Sequence, residues 1–206
     1  MIETADPVKE QLKSAEAPSA QGPVHGLILS GGASRRMGRP KALLSYQETT
    51  FLGHLVDLLG PTCDTVTVVT GAHARLIEES LPPGVKAVRA KDWRLGMRAS
   101  LRAGLAEIPR GPVLLTHVDR PTVSRQTVQL LGNCTVRVPV IPTYRCRSGH
   151  PVLIPDWFRE RLMQKDSAPL RELIFQTGHQ RLSVHDAGIV ENINNPQDYA
   201  RLRARG

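Results

Sequence analysis

Aromatic side chains are scarce: Phe, Trp and Tyr make up only 4% of the 206 residues. Nucleic-acid binders usually set stacking aromatics in a basic stripe, and here the arginines are also scattered, which argues against nucleic acid as a partner. Cysteine is scarcer still. Cys63, Cys134 and Cys146 form no close pair, so no zinc site is expected from them. An odd count without a signal peptide points to reduced thiols in the cytoplasm. No apolar run reaches the roughly 20 residues needed to cross a bilayer, and the N-terminus lacks the basic-then-apolar pattern of a secretory signal. A soluble, cytoplasmic protein with no membrane partner is expected. Acids are in deficit, with 19 Asp and Glu against 27 Lys and Arg, a net charge of +8. That surplus suits phosphorylated ligands, nucleic acid or an acidic partner, and charge alone does not choose among them.

The organisation of the chain is regular. Residues 1–22 are polar, carry Pro and Ala without a stable period, and read as a mobile leader. Residues 23–206 then read as a single domain. Apolar runs at 24–30, 65–70, 85–90 and 112–117 alternate with helical segments near 50–59, 73–80, 97–108 and 123–131. This βαβα rhythm predicts an α/β fold, a mostly parallel sheet covered on both faces. Beyond residue 132 the rhythm weakens: strands are expected within 135–144 and 150–155, helices near 155–164 and 168–178. A last helix should have Asn195 as its cap and Pro196 in its first turn. Met97 and Met163 read as packing residues.

Ligands on such sheets sit at the carboxyl ends of the strands. That rule gathers the 29–41 loop, Thr70 and Gly71, the 90–97 segment and residues 116–121 at one rim. The first of these, "LSGGASRRMGRPK", follows a buried-looking strand with two adjacent glycines and several cations. Glycine lets the backbone approach an anion with its N–H groups turned inward, so phosphate is the expected guest. The loop is neither Walker A nor the dinucleotide fingerprint, because Gly31 and Gly32 are adjacent and Arg39 follows Gly38. The loop's cations, with the backbone N–H groups of Gly31 to Ser34, are expected to grip that phosphate. Asp119, between an apolar strand and Pro121, reads as a Mg²⁺ ligand first and as a helix cap second.

The loop resembles the signature of the molybdenum cofactor nucleotidyltransferase-like family in Leu29, Ser30, Gly31, Gly32, Ser34, Arg36, Met37, Gly38 and Lys41. Four further segments resemble that family in the same order: "WRLGMRASLRAGL" (93–105), "VDRP" (118–121), "SGHPVLI" (148–154) and "NINNPQDY" (192–199). The resemblance is nearest the cytidylyltransferase branch. It implies a Rossmann-like three-layer α/β/α sandwich similar to nucleotide-diphospho-sugar transferases. It also implies Mg²⁺-dependent transfer of a nucleotidyl group, from CTP before GTP, to a phosphorylated small molecule such as molybdopterin, with release of pyrophosphate. Catalysis would then fall to Arg36, Lys41 and Asp119, with Arg36 and Lys41 gripping the triphosphate, while Arg35 and Arg39, which the signature does not specify, read as solvated. The nucleotide would lie on Leu29, Ser30, Gly31, Gly32, Ser34, Arg36, Lys41, Thr70 and Gly71, the acceptor on Gly149 and His150, and the metal on Asp119, Asn194 and Asn192. A molybdoenzyme or cofactor-insertion partner is a further implication. Two departures stand out: Arg120 where the pattern has Gln, and Asn192 and Asn194 where it has Asp. They leave open a same-fold enzyme for a sugar phosphate or phospholactate, and a non-catalytic nucleotide or cofactor binder.

Overall fold

His25–Ser30 forms the central strand β1 because every one of its residues is buried, as a strand covered on both faces requires. The computed structural model describes residues 22–164 and 168–205; apart from Gly22, the expected leader lies outside them. Thr65–Thr70 (β4) and Val113–His117 (β6) flank β1 in parallel, with Ser30 level with Thr70 and Leu29 level with His117. That register puts the carboxyl ends of three strands at one rim. Lys86–Arg89 (β5) extends the sheet beyond β4, again in parallel.

On the far side of β6 lie Val152–Ile154 (β9), Val140–Tyr144 (β7) and Gln180–Ser183 (β10), giving the order β10-β7-β9-β6-β1-β4-β5. β9 runs antiparallel to both neighbours, and Arg147–Ser148 (β8) returns against β7. The expected strands after residue 132 are therefore present in the main sheet. Its edge strand β10 and a short hairpin of Ser45–Tyr46 (β2) and Thr49–Thr50 (β3) escape a sequence reading. β10 is mostly exposed and carries only one apolar residue, Leu182, so it has no apolar run to betray it.

Helices cover both faces, and the alternation along each strand shows it. Ile28, Val68, Leu114 and Leu153 face the layer built from Phe51–Leu59 (α1), Arg125–Gly132 (α4) and Pro196–Arg203 (α7). Leu27, Leu29, Val69 and Leu115 face the opposite layer of Met97–Glu107 (α3), Phe158–Met163 (α5) and Leu170–Thr177 (α6). The three-layer α/β/α architecture follows from this period of two. A short helix, Ala74–Glu79 (α2), leads out of the β4 exit loop. Side chains fix the helix starts: Thr50 caps α1, Ser124 caps α4, and Asn195 with Asp198 forms a capping box on α7, where Pro196 occupies the first turn as expected. No described helix is long and apolar enough to cross a membrane.

Candidate functional site

A cleft of about 580 Å³ opens over the carboxyl ends of β1 and β6. Its floor is the glycine loop. A Cβ on Gly31 would fall 2.7 Å from Ser100 Oγ, so the missing side chain is what lets helix α3 close against the loop. Ser34 takes a left-handed conformation (φ 50°) and its Oγ accepts the Lys41 N–H at 3.2 Å, which folds the loop back so that Lys41 faces the cleft. His73, on the segment leaving β4, holds the Ala33 carbonyl from Nε2 at 3.1 Å.

The centre of the site joins three distant segments. Lys41 Nζ donates to Asp119 Oδ2 at 3.1 Å and to Asn194 Oδ1 at 2.7 Å, linking residues 78 and 153 positions apart. The contact is partly shielded, with 13% of the Lys41 and 24% of the Asp119 side chain exposed. Bonds that do not involve the lysine fix the main chain of both partners: Ile193 N–H donates to the Asp119 carbonyl at 2.9 Å, and Asn194 N–H to Asp198 Oδ2 at 2.8 Å. The alternative reading of Asp119 as a helix cap fails, because Ser124 caps the following helix. Around this clasp the wall is cationic, with Arg35, Arg36 and Arg94 lining the cleft and Asp119 the one carboxylate among the described residues there. Such a cleft is complementary to a polyphosphate.

Several sequence expectations need correction. Asn192 is exposed and outside the cleft lining, because the turn that buries Ile193 sends its neighbours to opposite sides and only Asn194 faces inward. Thr70 and Gly71 do not line the cleft either. Thr70 is fully buried and donates to Glu78, while a Cβ on Gly71 would meet the Gly31 carbonyl at 2.4 Å; both support the loop from behind. Gly149 packs on Ile189 and His150 sits one layer back, its ring edge-on to His117 at 4.6 Å. Arg35 is exposed, as expected, and also lines the cleft, whereas Arg39 lies over the Tyr199 ring at 5.4 Å. Met97 and Met163 are 46% and 37% exposed, and Met97 lines the cleft mouth instead of packing the core. Arg120 turns away from the clasp and donates to the Ile189 carbonyl at 2.5 Å. His73, Trp93, Arg94, Ser100 and His117 are further cleft residues that the sequence does not single out, although Trp93, Arg94 and Ser100 lie in the 93–105 motif and the strand-end rule places His117 at this rim.

Burial holds the His117 imidazole below its ordinary range, with Asp119 opposing and Arg120 and Lys41 adding to the effect. His150 is pushed down further, by burial first and then by His117 and Arg120. Both rings are therefore neutral near pH 7 and add no charge to the wall. As for a metal, Asp119 and Asn194 offer two hard oxygens that converge on one cation, here the ammonium, and such donors fit Mg²⁺. No cluster of three or more His, Cys, Asp or Glu suited to a metal occurs among the described residues, so phosphate oxygens and water must complete any coordination.

The profile of the MobA-like NTP transferase domain matches residues 26–182. The chain is 23% identical over 188 residues to the molybdenum cofactor cytidylyltransferase of Escherichia coli, covering 87% of this chain and 95% of that protein. It is 25% identical over 191 residues to a probable molybdenum cofactor guanylyltransferase of Bacillus cereus, covering 86% and 94%. Among solved structures, the manganese complex of Rv0371c from Mycobacterium tuberculosis shares the fold with a TM-score of 0.73 at 24% identity, over 89% of this chain and 98% of that one.

Proposed function

The chain belongs to the MobA-like NTP transferase domain family, and from that premise we propose that it transfers a nucleotidyl group, from CTP before GTP, to a phosphorylated acceptor of the molybdopterin type. One observation carries this reading: Lys41, Asp119 and Asn194 converge at the strand-end rim of a cation-lined cleft. In the reaction an acceptor phosphate oxygen forms a bond to the α-phosphorus while the α–β phosphoanhydride bond breaks and pyrophosphate leaves. Negative charge grows on the bridging and leaving oxygens, so preorganised cations there lower the barrier. Arg36 and Arg35, with the loop N–H groups, hold the phosphates in place for in-line attack, and Lys41 meets the developing charge. Asp119 and Asn194 would hold Mg²⁺, which supplies Lewis-acid neutralisation of the phosphate oxygens. Manganese in the structurally similar Rv0371c complex supports a divalent ion at this fold. His150 acts on the acceptor side indirectly, by backing His117, and Gly149 by packing on Ile189. CTP is placed first because the 93–105 and 148–154 segments resemble the cytidylyltransferase pattern, and a cytidylyltransferase is among the relatives.

The test is pyrophosphate release with CTP, GTP, ATP and UTP, each with Mg²⁺ and molybdopterin, a sugar phosphate or phospholactate. Release with CTP and molybdopterin is expected, and Asp119→Asn should abolish it while nucleotide binding persists. Turnover only with another acceptor would move the assignment to that acceptor, and no turnover in any combination would make the protein a nucleotide binder.

A further inference from the structure

We propose that Lys41 holds the metal's place in the nucleotide-free protein, so that this chain takes up its divalent ion only together with a nucleotide polyphosphate. The inference rests on the reading that Asp119 and Asn194 are the metal ligands. One oxygen of each ligand residue, Asp119 Oδ2 and Asn194 Oδ1, is engaged by the same ammonium, at 3.1 and 2.7 Å. Counting charges shows what an ion alone would meet. Asp119 contributes −1, Asn194 nothing and Lys41 +1, so the clasp is neutral as it stands. A divalent ion would bring it to +2, in a cleft whose walls already carry Arg35, Arg36 and Arg94. The ion would also have to evict Lys41 from its carboxylate, leaving a partly shielded ammonium without its partner, an unfavourable exchange.

A nucleoside triphosphate removes both obstacles. Its charge offsets the ion, and its oxygens give the displaced ammonium a new partner. Little else has to move. The Lys41 backbone is fixed to Ser34 Oγ, while its four-carbon stem is flexible enough to swing from the clasp to a phosphate. The main-chain positions from which the two side chains reach the clasp are kept without the lysine, because Ile193 N–H is bonded to the Asp119 carbonyl and Asn194 N–H to Asp198. The neutral Asn194 is what makes the arrangement selective: with a carboxylate at that position, the clasp would keep a negative charge even with Lys41 in place.

Mn²⁺ binding by the full chain, followed by electron paramagnetic resonance of the free ion, tests this without reference to turnover. After subtraction of the Mn²⁺ that α,β-methylene CTP binds without protein, wild-type protein should bind Mn²⁺ weakly alone and at least about tenfold more tightly with the analogue present, a difference of about 1.4 kcal/mol. Lys41→Met should tighten nucleotide-free Mn²⁺ binding by a similar factor. Asn194→Asp keeps the lysine and should also tighten it. Equal wild-type affinity with and without the nucleotide analogue would overturn the proposal, and so would a folded Lys41→Met protein that binds Mn²⁺ no better than wild type. Should that variant fail to fold, the wild-type comparison and Asn194→Asp decide. Asp119→Asn separates this idea from the assignment beneath it. If nucleotide-dependent Mn²⁺ binding survives that change, the metal lies elsewhere and the ligand assignment itself falls.

Discussion

Arg36 and Arg39 stand three positions apart in one loop and have opposite environments, which makes them a sharp test of the phosphate cradle. Arg36 faces the cleft, whereas the Arg39 guanidinium lies over Tyr199. Losing one charge that stabilises a transition state typically lowers turnover about 10²- to 10³-fold. Arg36→Ala should approach that loss and Arg39→Ala should leave turnover nearly unchanged; equal losses would mean a diffuse basic patch. A second residue sets a pH limit. Burial first, and then the Asp64 carboxylate, pushes the Cys63 thiol from 9.0 up to about 12. The folded protein keeps this proton at pH values where the unfolded chain releases it, so the stability it represents is complete below pH 9 and is lost as pH rises toward 12. The slope contributed is at most about 1.4 kcal/mol per pH unit. Urea midpoints between pH 8.5 and 10.5 should fall, and Cys63→Ala should fall less steeply.

Helix α3 ties the core to the cleft at the scale of the element. Its N-terminal end supplies Met97 and Ser100 to the cleft, and at Gly104 it presses on β1 and β4. A Cβ there would lie 2.6 Å from Val69 Cγ2 and 2.8 Å from Leu27 Cδ1, both on fully buried side chains. Alanine favours a helix over glycine by about 1 kcal/mol, while overpacking costs about 1–3 kcal/mol. The clash should win, because neither neighbour has space to retreat. Gly104→Ala is expected to lower the melting temperature by several degrees and, by lifting Ser100, to raise the nucleotide KM more than it lowers kcat; an unchanged melting temperature would contradict this packing. The same elements show what a sequence can disclose. β1, β4 and β6 are legible because each is an apolar run, and the rim rule then places Lys41 and Asp119 together. The reversed direction of β9 and the edge strand β10 are not legible, since pairing direction leaves no trace in local pattern. Motif spacing could not separate Asn192 from Asn194 either. The direction in which the turn buries Ile193 decides that.

For the whole molecule, the surplus of eight positive charges and the cluster of Arg35, Arg36, Lys41 and Arg94 in one cleft have a joint consequence for capture of the substrate. A cleft of one sign focuses the field and speeds the encounter with a polyanion, an effect that falls with ionic strength because the Debye length shrinks from about 10 Å at 0.1 M salt to about 3 Å at 1 M. Chemistry inside the closed clasp should respond differently. The Lys41–Asp119 pair is mostly shielded, and groups a few ångströms apart in a shielded site are screened far less than charges across open solvent. Raising salt from low to several hundred millimolar should therefore reduce kcat/KM for the nucleotide several-fold while kcat changes little. Arg94→Ala, at the open mouth of the cleft, should flatten the salt dependence of kcat/KM without abolishing turnover. A kcat that fell in step with kcat/KM would show that the salt acts on the chemical step, and that the exposed arginines do more than gather the substrate.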